Sequence, residues 1–344
     1  MATFSPGALV CGGRFRVVSV LAFGGMGSVY DVEDASIGRR FVLKVLHGEL
    51  AGSEDLRKQM QREARVLGRI DHVNVVRVFT AGVSEDEAPP LPFIVMEKLE
   101  GASLRAVLRA GARIPMRAAV RATIDLLLAL DHVHELGVVH CDLKPENIFL
   151  HEERGRITPK LLDFGVVRVL ARGEATANLG GTIRYASPEQ VRGEAVGPRS
   201  DVYSMALVLY EMIAGHGPFH DVTGAHHVGR AQLTRVPAAI DGVPQRLMRV
   251  VLRALAKNPE LRPRDAFGFA RELADIEPRL PGDAAFGASV IAARAACDEI
   301  TRATDDDATE REAASWVTNG DLLTRYTTGE GCEGGGGRCD GFLP

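Results

Sequence analysis

Apolar and polar positions alternate loosely over residues 15–21 and again over 28–34, so both stretches read as strands. The glycine-rich run Leu21-Ala22-Phe23-Gly24-Gly25-Met26-Gly27 between them turns the pair into a hairpin. Residues 41–46 form a third predicted strand, apolar around a single charge, Lys44. Ser53, Glu54 and Asp55 then supply a capping hydroxyl and first-turn acids for a helix reaching about Arg69. Met60, Ala64 and Leu67 recur at helical spacing and mark its packed face, with Glu63 close to that face. Residues 75–83 and 93–98 read as two more strands around an acidic, proline-rich loop over 85–92. Five strands and one helix make a small antiparallel domain.

From Ser103 onward helical spacing dominates. A long helix is predicted over 115–136, with Pro115 in its first turn and Gly137 just past its end. Its interior is apolar on most faces, which predicts burial on most sides. Further helices are expected over 200–214, 244–256 and 265–276, and no internal repeat is visible. Beyond about residue 276 the chain is acidic and lacks lysine, and near its end it runs into four consecutive glycines. One helix over 284–300 fits there, and the rest of the tail reads as mobile, as do the first ten residues.

The 344 residues, 46% hydrophobic and 25% charged, are ordinary for a soluble globular protein of one to three domains. A net charge of −4 gives no reason to expect nucleic acid or a membrane surface as partner. The five cysteines, Cys11, Cys141, Cys297, Cys332 and Cys339, have neither zinc spacing nor the density of a disulfide framework. No signal peptide is indicated, and no apolar run approaches the roughly 20 residues of a membrane span. Cytoplasmic residence is the expectation. Arginine supplies most of the 41 basic residues, so each of Lys44, Lys58, Lys98, Lys144, Lys160 and Lys257 merits attention.

The densest chemistry is His140-Cys141-Asp142-Leu143-Lys144-Pro145-Glu146-Asn147, followed after a gap by Asp163-Phe164-Gly165. Asp142 is a candidate base that orients a substrate hydroxyl, and Lys144 can reach a transferring phosphoryl group. Asn147 and Asp163 offer the oxygens that magnesium prefers. Phosphoryl transfer asks mainly for positioning and charge neutralisation, so this inventory suffices in kind. Lys44, inside an apolar strand, needs a counter-charge or a phosphate; Glu63 is the natural partner. Alone, the glycine-rich turn is compatible with a plain hairpin. Its place between two strands argues against a dinucleotide motif, which needs a strand-to-helix turn.

In this order and spacing the motifs resemble those of a eukaryotic-like serine/threonine protein kinase. Gly24-Gly25-Met26-Gly27 and Gly181-Thr182-Ile183-Arg184-Tyr185-Ala186-Ser187-Pro188-Glu189 look like the bacterial branch. The resemblance implies an α+β, two-lobed fold over residues 15–276, with a small lobe over about 15–97 and a mainly helical lobe over about 101–276. Residues 1–14 would then be a lead-in and 277–344 a tail. It implies ATP and Mg2+ as cofactors and protein serine or threonine hydroxyls as acceptors, the chain's own included. Leu21, Ala22, Gly24, Gly25, Gly27, Val29, Val42, Lys44, Phe149 and the hinge residues Glu97 and Leu99 would line the nucleotide site, with Met96 as gatekeeper. By the same resemblance Glu189 pairs with Arg262, and Asp201 holds the catalytic-loop backbone. Leu67, Val78, His140 and Phe164 form a stacked spine. Relatives of this type often pair through their small lobes.

Three positions depart from the family pattern. Ala22 replaces the first loop glycine, Val42 the alanine over the adenine ring, and Cys141 the arginine before the catalytic aspartate. That arginine usually grips a phosphate on the activation loop, and cysteine cannot. Thr176 is the one hydroxyl between Gly165 and Gly181, so its phosphorylation is expected to be dispensable. Cys141 reads as a small filler, with a redox-sensitive thiol as the sharper alternative. Two competing readings are a pseudokinase scaffold and a receptor kinase parted from its sensor. Retention of Lys44, Asp142 and Asp163 favours an active enzyme over the first. The tail could dock a partner or occupy the substrate cleft.

Overall fold

A computed structural model describes residues 4–24, 27–46, 68–84, 90–111, 114–163, 181–283 and 286. The small lobe is one antiparallel sheet. Its strands are β1 (Leu9–Val10), β2 (Phe15–Gly24), β3 (Gly27–Asp34), β4 (Arg40–Leu46), β5 (Val78–Ser84) and β6 (Leu91–Glu97), in the spatial order β1-β2-β3-β4-β6-β5. Alternate residues of these strands point into one apolar cluster that includes Phe15, Val17, Tyr30, Val32, Leu43 and Val95, all at most 1% exposed. The predicted helix over 53–69 falls almost wholly outside the described residues, as do Gly25, Glu63 and Leu67.

Three sequence expectations need correction here. Residues 4–14 are not a loose lead-in: β1 pairs with β2, Val10 is buried, and Phe4 lies against the Tyr30 ring at 5.4 Å. Burial of a few apolar side chains fixes a stretch too short to show a period. Strand β2 also runs on past Leu21 to Gly24, because its ladder with β3 continues through Ala22↔Val29 to Gly24↔Gly27. Ala22 is therefore a strand residue, with irregularities in register just before it. Finally, Val75 and Val76 leave the small sheet. Val75 bridges in parallel to Leu161, and the Val76 N–H donates to the Leu161 carbonyl at 2.9 Å.

The larger lobe is built on α1 (Leu104–Arg109), α2 (Met116–Glu135), α3 (Pro188–Arg192), α4 (Pro198–Ala214), α5 (Ala225–Thr234), α6 (Gln245–Ala254) and α7 (Ala266–Ala274). Helix α4 buries residues from Ser200 through Met212 without a break and forms its axis. Helix α2 buries Val120, Ile124, Leu127, Leu130 and Val133, ending where Gly137 takes φ 76° and its N–H caps the His134 carbonyl. No helix among the described residues is long and apolar enough to cross a membrane.

The helical reading of this lobe missed one element that matters. Strands β7 (Gly101–Ser103), β8 (Ile148–Glu153) and β9 (Arg156–Leu161) form a second sheet. Arg154 and Gly155, with φ of 52° and 74°, make the two-residue turn between β8 and β9. Positive φ at both centres is the twist such a hairpin needs. Gly101 sits where a Cβ would come 2.1 Å from the Leu150 carbonyl oxygen, so only glycine lets β7 approach β8.

Candidate active site

The β8–β9 hairpin gathers residues that lie far apart in sequence. Its ladder closes at Ile148↔Leu161 and is extended by the Leu162 N–H donating to the Asn147 carbonyl at 2.8 Å. Asn147 and Asp163 therefore flank the open end of one hairpin.

Asp142 lies in the loop before it. The Asn147 Nδ2 donates to the Asp142 carbonyl at 2.8 Å and to its Oδ2 at 3.0 Å. Lys144 Nζ lies 3.0 Å from the same Oδ2. Because the amide nitrogen of Asn147 is turned to Asp142, its oxygen is left as an acceptor for a cation. Lys44, on β4 between Val29 and Ile94, crosses to the large lobe and places Nζ 2.8 Å from Asp163 Oδ1. Asp163 has φ 41°, an uncommon conformation for a residue with a side chain.

The loop is held from beneath by Asp201, whose side chain is 1% exposed. Its Oδ2 accepts from the His140 N–H at 2.8 Å and meets His134 Nε2 at 2.8 Å; its Oδ1 accepts from the Cys141 N–H at 2.9 Å. His140 is fully buried, with Nε2 on the Leu162 carbonyl at 2.9 Å, and burial pushes its imidazole pKa down. Cys141 takes φ 62° between these groups.

The residues expected around the nucleotide occupy both lobes. Ala22 and Val29 are buried partners on β2 and β3, and Val42 faces Met96 across β4 and β6. Val78 is the register partner of Met96 on β5. Leu21, Leu99 and Phe149 are half-buried, the last on β8. Glu97 closes β6, where its carboxylate accepts from Lys160 Nζ at 2.7 Å and the Arg77 N–H at 2.9 Å. Phe164, Gly165 and Thr176 lie outside the described residues; the backbone of Thr182 belongs to a 3-10 turn, Gly181–Arg184.

Behind that turn, Glu189 and Arg262 form a buried two-bond pair at 2.7 and 2.9 Å, and Ser200 Oγ donates to Glu189 at 2.6 Å. Burial alone would raise the Glu189 pKa; the bonds from Arg262 and Ser200 more than offset it and hold it low.

Several groups escaped the sequence reading. Arg105 bridges Glu146 and Glu211 at 2.7 Å each, and Tyr185 bonds both Arg105 and Glu211. Burial opposes the charge on Arg105, but Tyr185, Glu211 and Glu146 more than offset it and raise its pKa. These residues line a cavity of about 480 Å3 that opens beside Lys144. Glu146 lay inside the marked octet without a role, and Lys160 was flagged only by the scarcity of lysine. Arg105 carried no signal of its own.

A two-lobed architecture with this set of groups between the lobes defines a protein kinase domain. The family model for that domain matches residues 15–273, and the chain belongs to the family. Among curated relatives, the serine/threonine-protein kinase PknB of Mycobacterium leprae is 35% identical over 277 residues, 79% of this chain and 44% of that protein. The serine/threonine-protein kinase pkn2 of Myxococcus xanthus is 36% identical over 281 residues, 78% of this chain and 33% of that protein. The chain thus spans less than half the length of these relatives. The crystal structure of the Mycobacterium tuberculosis PknI kinase domain superposes with a TM-score of 0.62 at 25% identity, covering 79% of this chain and 99% of that one.

Proposed function

We propose that this chain is an active serine/threonine protein kinase that moves the γ-phosphoryl group of ATP to hydroxyls on proteins, its own included. The reading is carried by one observation: Asp142, Lys144 and Asn147 are bonded to one another while Lys44 bridges to Asp163. A scaffold that only borrowed the fold would not need this arrangement.

The donor set suits magnesium. One carboxylate and one amide oxygen leave most of the coordination sphere to phosphate oxygens and water, as this cation prefers. Asn147 and Asp163 would hold it, and it would neutralise phosphate charge. Lys44, which meets Asp163 at 2.8 Å, would hold the nucleotide's phosphates. Asp142 orients the acceptor hydroxyl and receives its proton. Lys144, 3.0 Å from that carboxylate, offsets the charge that builds on the transferring group. A reaction that draws on ATP fits a cytoplasmic setting.

The test is incorporation of labelled γ-phosphate into the chain and a generic acceptor protein, with Asp142→Asn as control. Removing the base costs on the order of 10²–10⁴-fold. Incorporation no higher than in that control would favour a scaffold. Label on tyrosine alone would refute the residue specificity.

A further inference from the structure

Gln190 stands three residues after Ser187 at the start of α3. Its Oε1 accepts from the Ser187 N–H at 2.9 Å, and Ser187 Oγ accepts from the Gln190 N–H at 3.4 Å, a reciprocal capping box. Glutamate would serve that cap equally well and would add a favourable charge at the helix start. What glutamate cannot do is donate. The Gln190 Nε2 donates to the Cys141 carbonyl at 2.7 Å. The cap fixes which end of the amide faces which way, so nitrogen is presented to the loop.

The Cys141 carbonyl belongs to the peptide unit that carries the Asp142 N–H. That N–H faces His140 Nδ1 at 3.3 Å, a long bond, whereas the oxygen of the same unit is gripped at 2.7 Å. The unit before it is held by Asp201 through the Cys141 N–H at 2.9 Å. Between these two grips Cys141 is kept at φ 62°, a left-handed conformation that a residue with a side chain adopts only when held. Release the carbonyl and the unit can rotate toward ordinary φ, carrying Asp142 with it.

We propose that Gln190 is a positioning residue for Asp142: it clamps the Cys141–Asp142 peptide and so couples the seating of α3, at the end of the activation segment, to the aim of the base. This rests on the phosphotransfer reading above. It adds a contact from outside the catalytic loop to the ones Asp142 makes with Lys144 and Asn147.

Two substitutions separate the clamp from the cap. Gln190→Glu keeps the capping acceptor and loses the donor; Gln190→Lys keeps a donor and loses the acceptor. Turnover should follow the donor. Q190E is expected to lower kcat about tenfold, the worth of one well-placed hydrogen bond. Its KM for ATP and its melting midpoint should stay near wild type. Q190K should lose melting midpoint and keep kcat within about threefold of wild type. As pH falls and the new carboxyl protonates, it regains a donor, so the Q190E to wild-type ratio of kcat should rise.

Hydrogen exchange at the Cys141 and Asp142 amides, faster in Q190E, reads the clamp without turnover. A Q190E enzyme with wild-type kcat overturns the proposal, as does wild-type exchange at those amides or a series in which kcat tracks melting midpoint. A wild type no better than Asp142→Asn would instead sink the phosphotransfer reading, and the exchange comparison would still judge the clamp.

Discussion

Arg262→Met removes one half of the most deeply buried ion pair described. The Arg262 side chain is 0% exposed and that of Glu189 5%. The guanidinium makes two bonds to Glu189 and further bonds to the carbonyls of Ala256, Arg199 and Lys257. Methionine fills similar volume but leaves a buried carboxylate unpaired, which costs about 3–5 kcal/mol. For a cooperative unit of 150–250 residues each kcal/mol moves the melting midpoint about 2–4 °C, so a fall of roughly 6–20 °C is expected. Calorimetry and urea titration measure it.

The double variant with Glu189→Gln should recover much of the loss, because no bare charge remains. The sign with pH is fixed as well. Glu189 is held below its ordinary value of 4.5 in the fold, so its contribution is present above that value and fades as pH falls through the lowered one. The gap between wild type and Arg262→Met should therefore narrow in acid. A loss below about 1 kcal/mol, or a double variant as unstable as the two single losses summed, would refute the reasoning.

Two further predictions can be checked alongside. Thr176→Ala should retain activity within about threefold of wild type, since a loss of one modest contact is all that a loop phosphate without an arginine clamp can offer; a kinetic comparison with phosphorylated and with dephosphorylated wild type checks it. Lys257 lies over the Tyr203 and Phe219 rings, and burial first, then Arg262, lowers its pKa to about 8. The fold binds this proton less well than the unfolded chain does, so stability should rise with pH from about 8 toward 10, and Lys257→Met should flatten that slope in urea titrations.

The strands of the small lobe and the long helices were legible because each repeats a side-chain period over many residues. Their ends were less so: β2 outlasts its alternation because Gly24 and Gly27 keep the ladder closed, and β1 is two residues long. The β8–β9 hairpin was hidden by its position among helices, although Arg154-Gly155 between two apolar runs was a usable turn signal. Of the site, Lys44, Asp142, Lys144, Asn147 and Asp163 stood out because phosphoryl transfer and cation binding call for those residue types. Gln190, Arg105 and Lys160 act on other protein atoms across large sequence distances. Only folding shows which carbonyl or carboxylate they meet.

The Arg154-Gly155 turn has one more consequence. Closing the chain between Asn147 and Asp163 costs little loop entropy, because a tight hairpin replaces a wandering connection. The Asn147–Asp163 end of the site is therefore a local unit of low contact order, able to assemble within microseconds and ahead of the long-range docking of α3. Newly made chain emerging in sequence order would bring Asn147 and Asp163 together before the more distant α3 has taken its place.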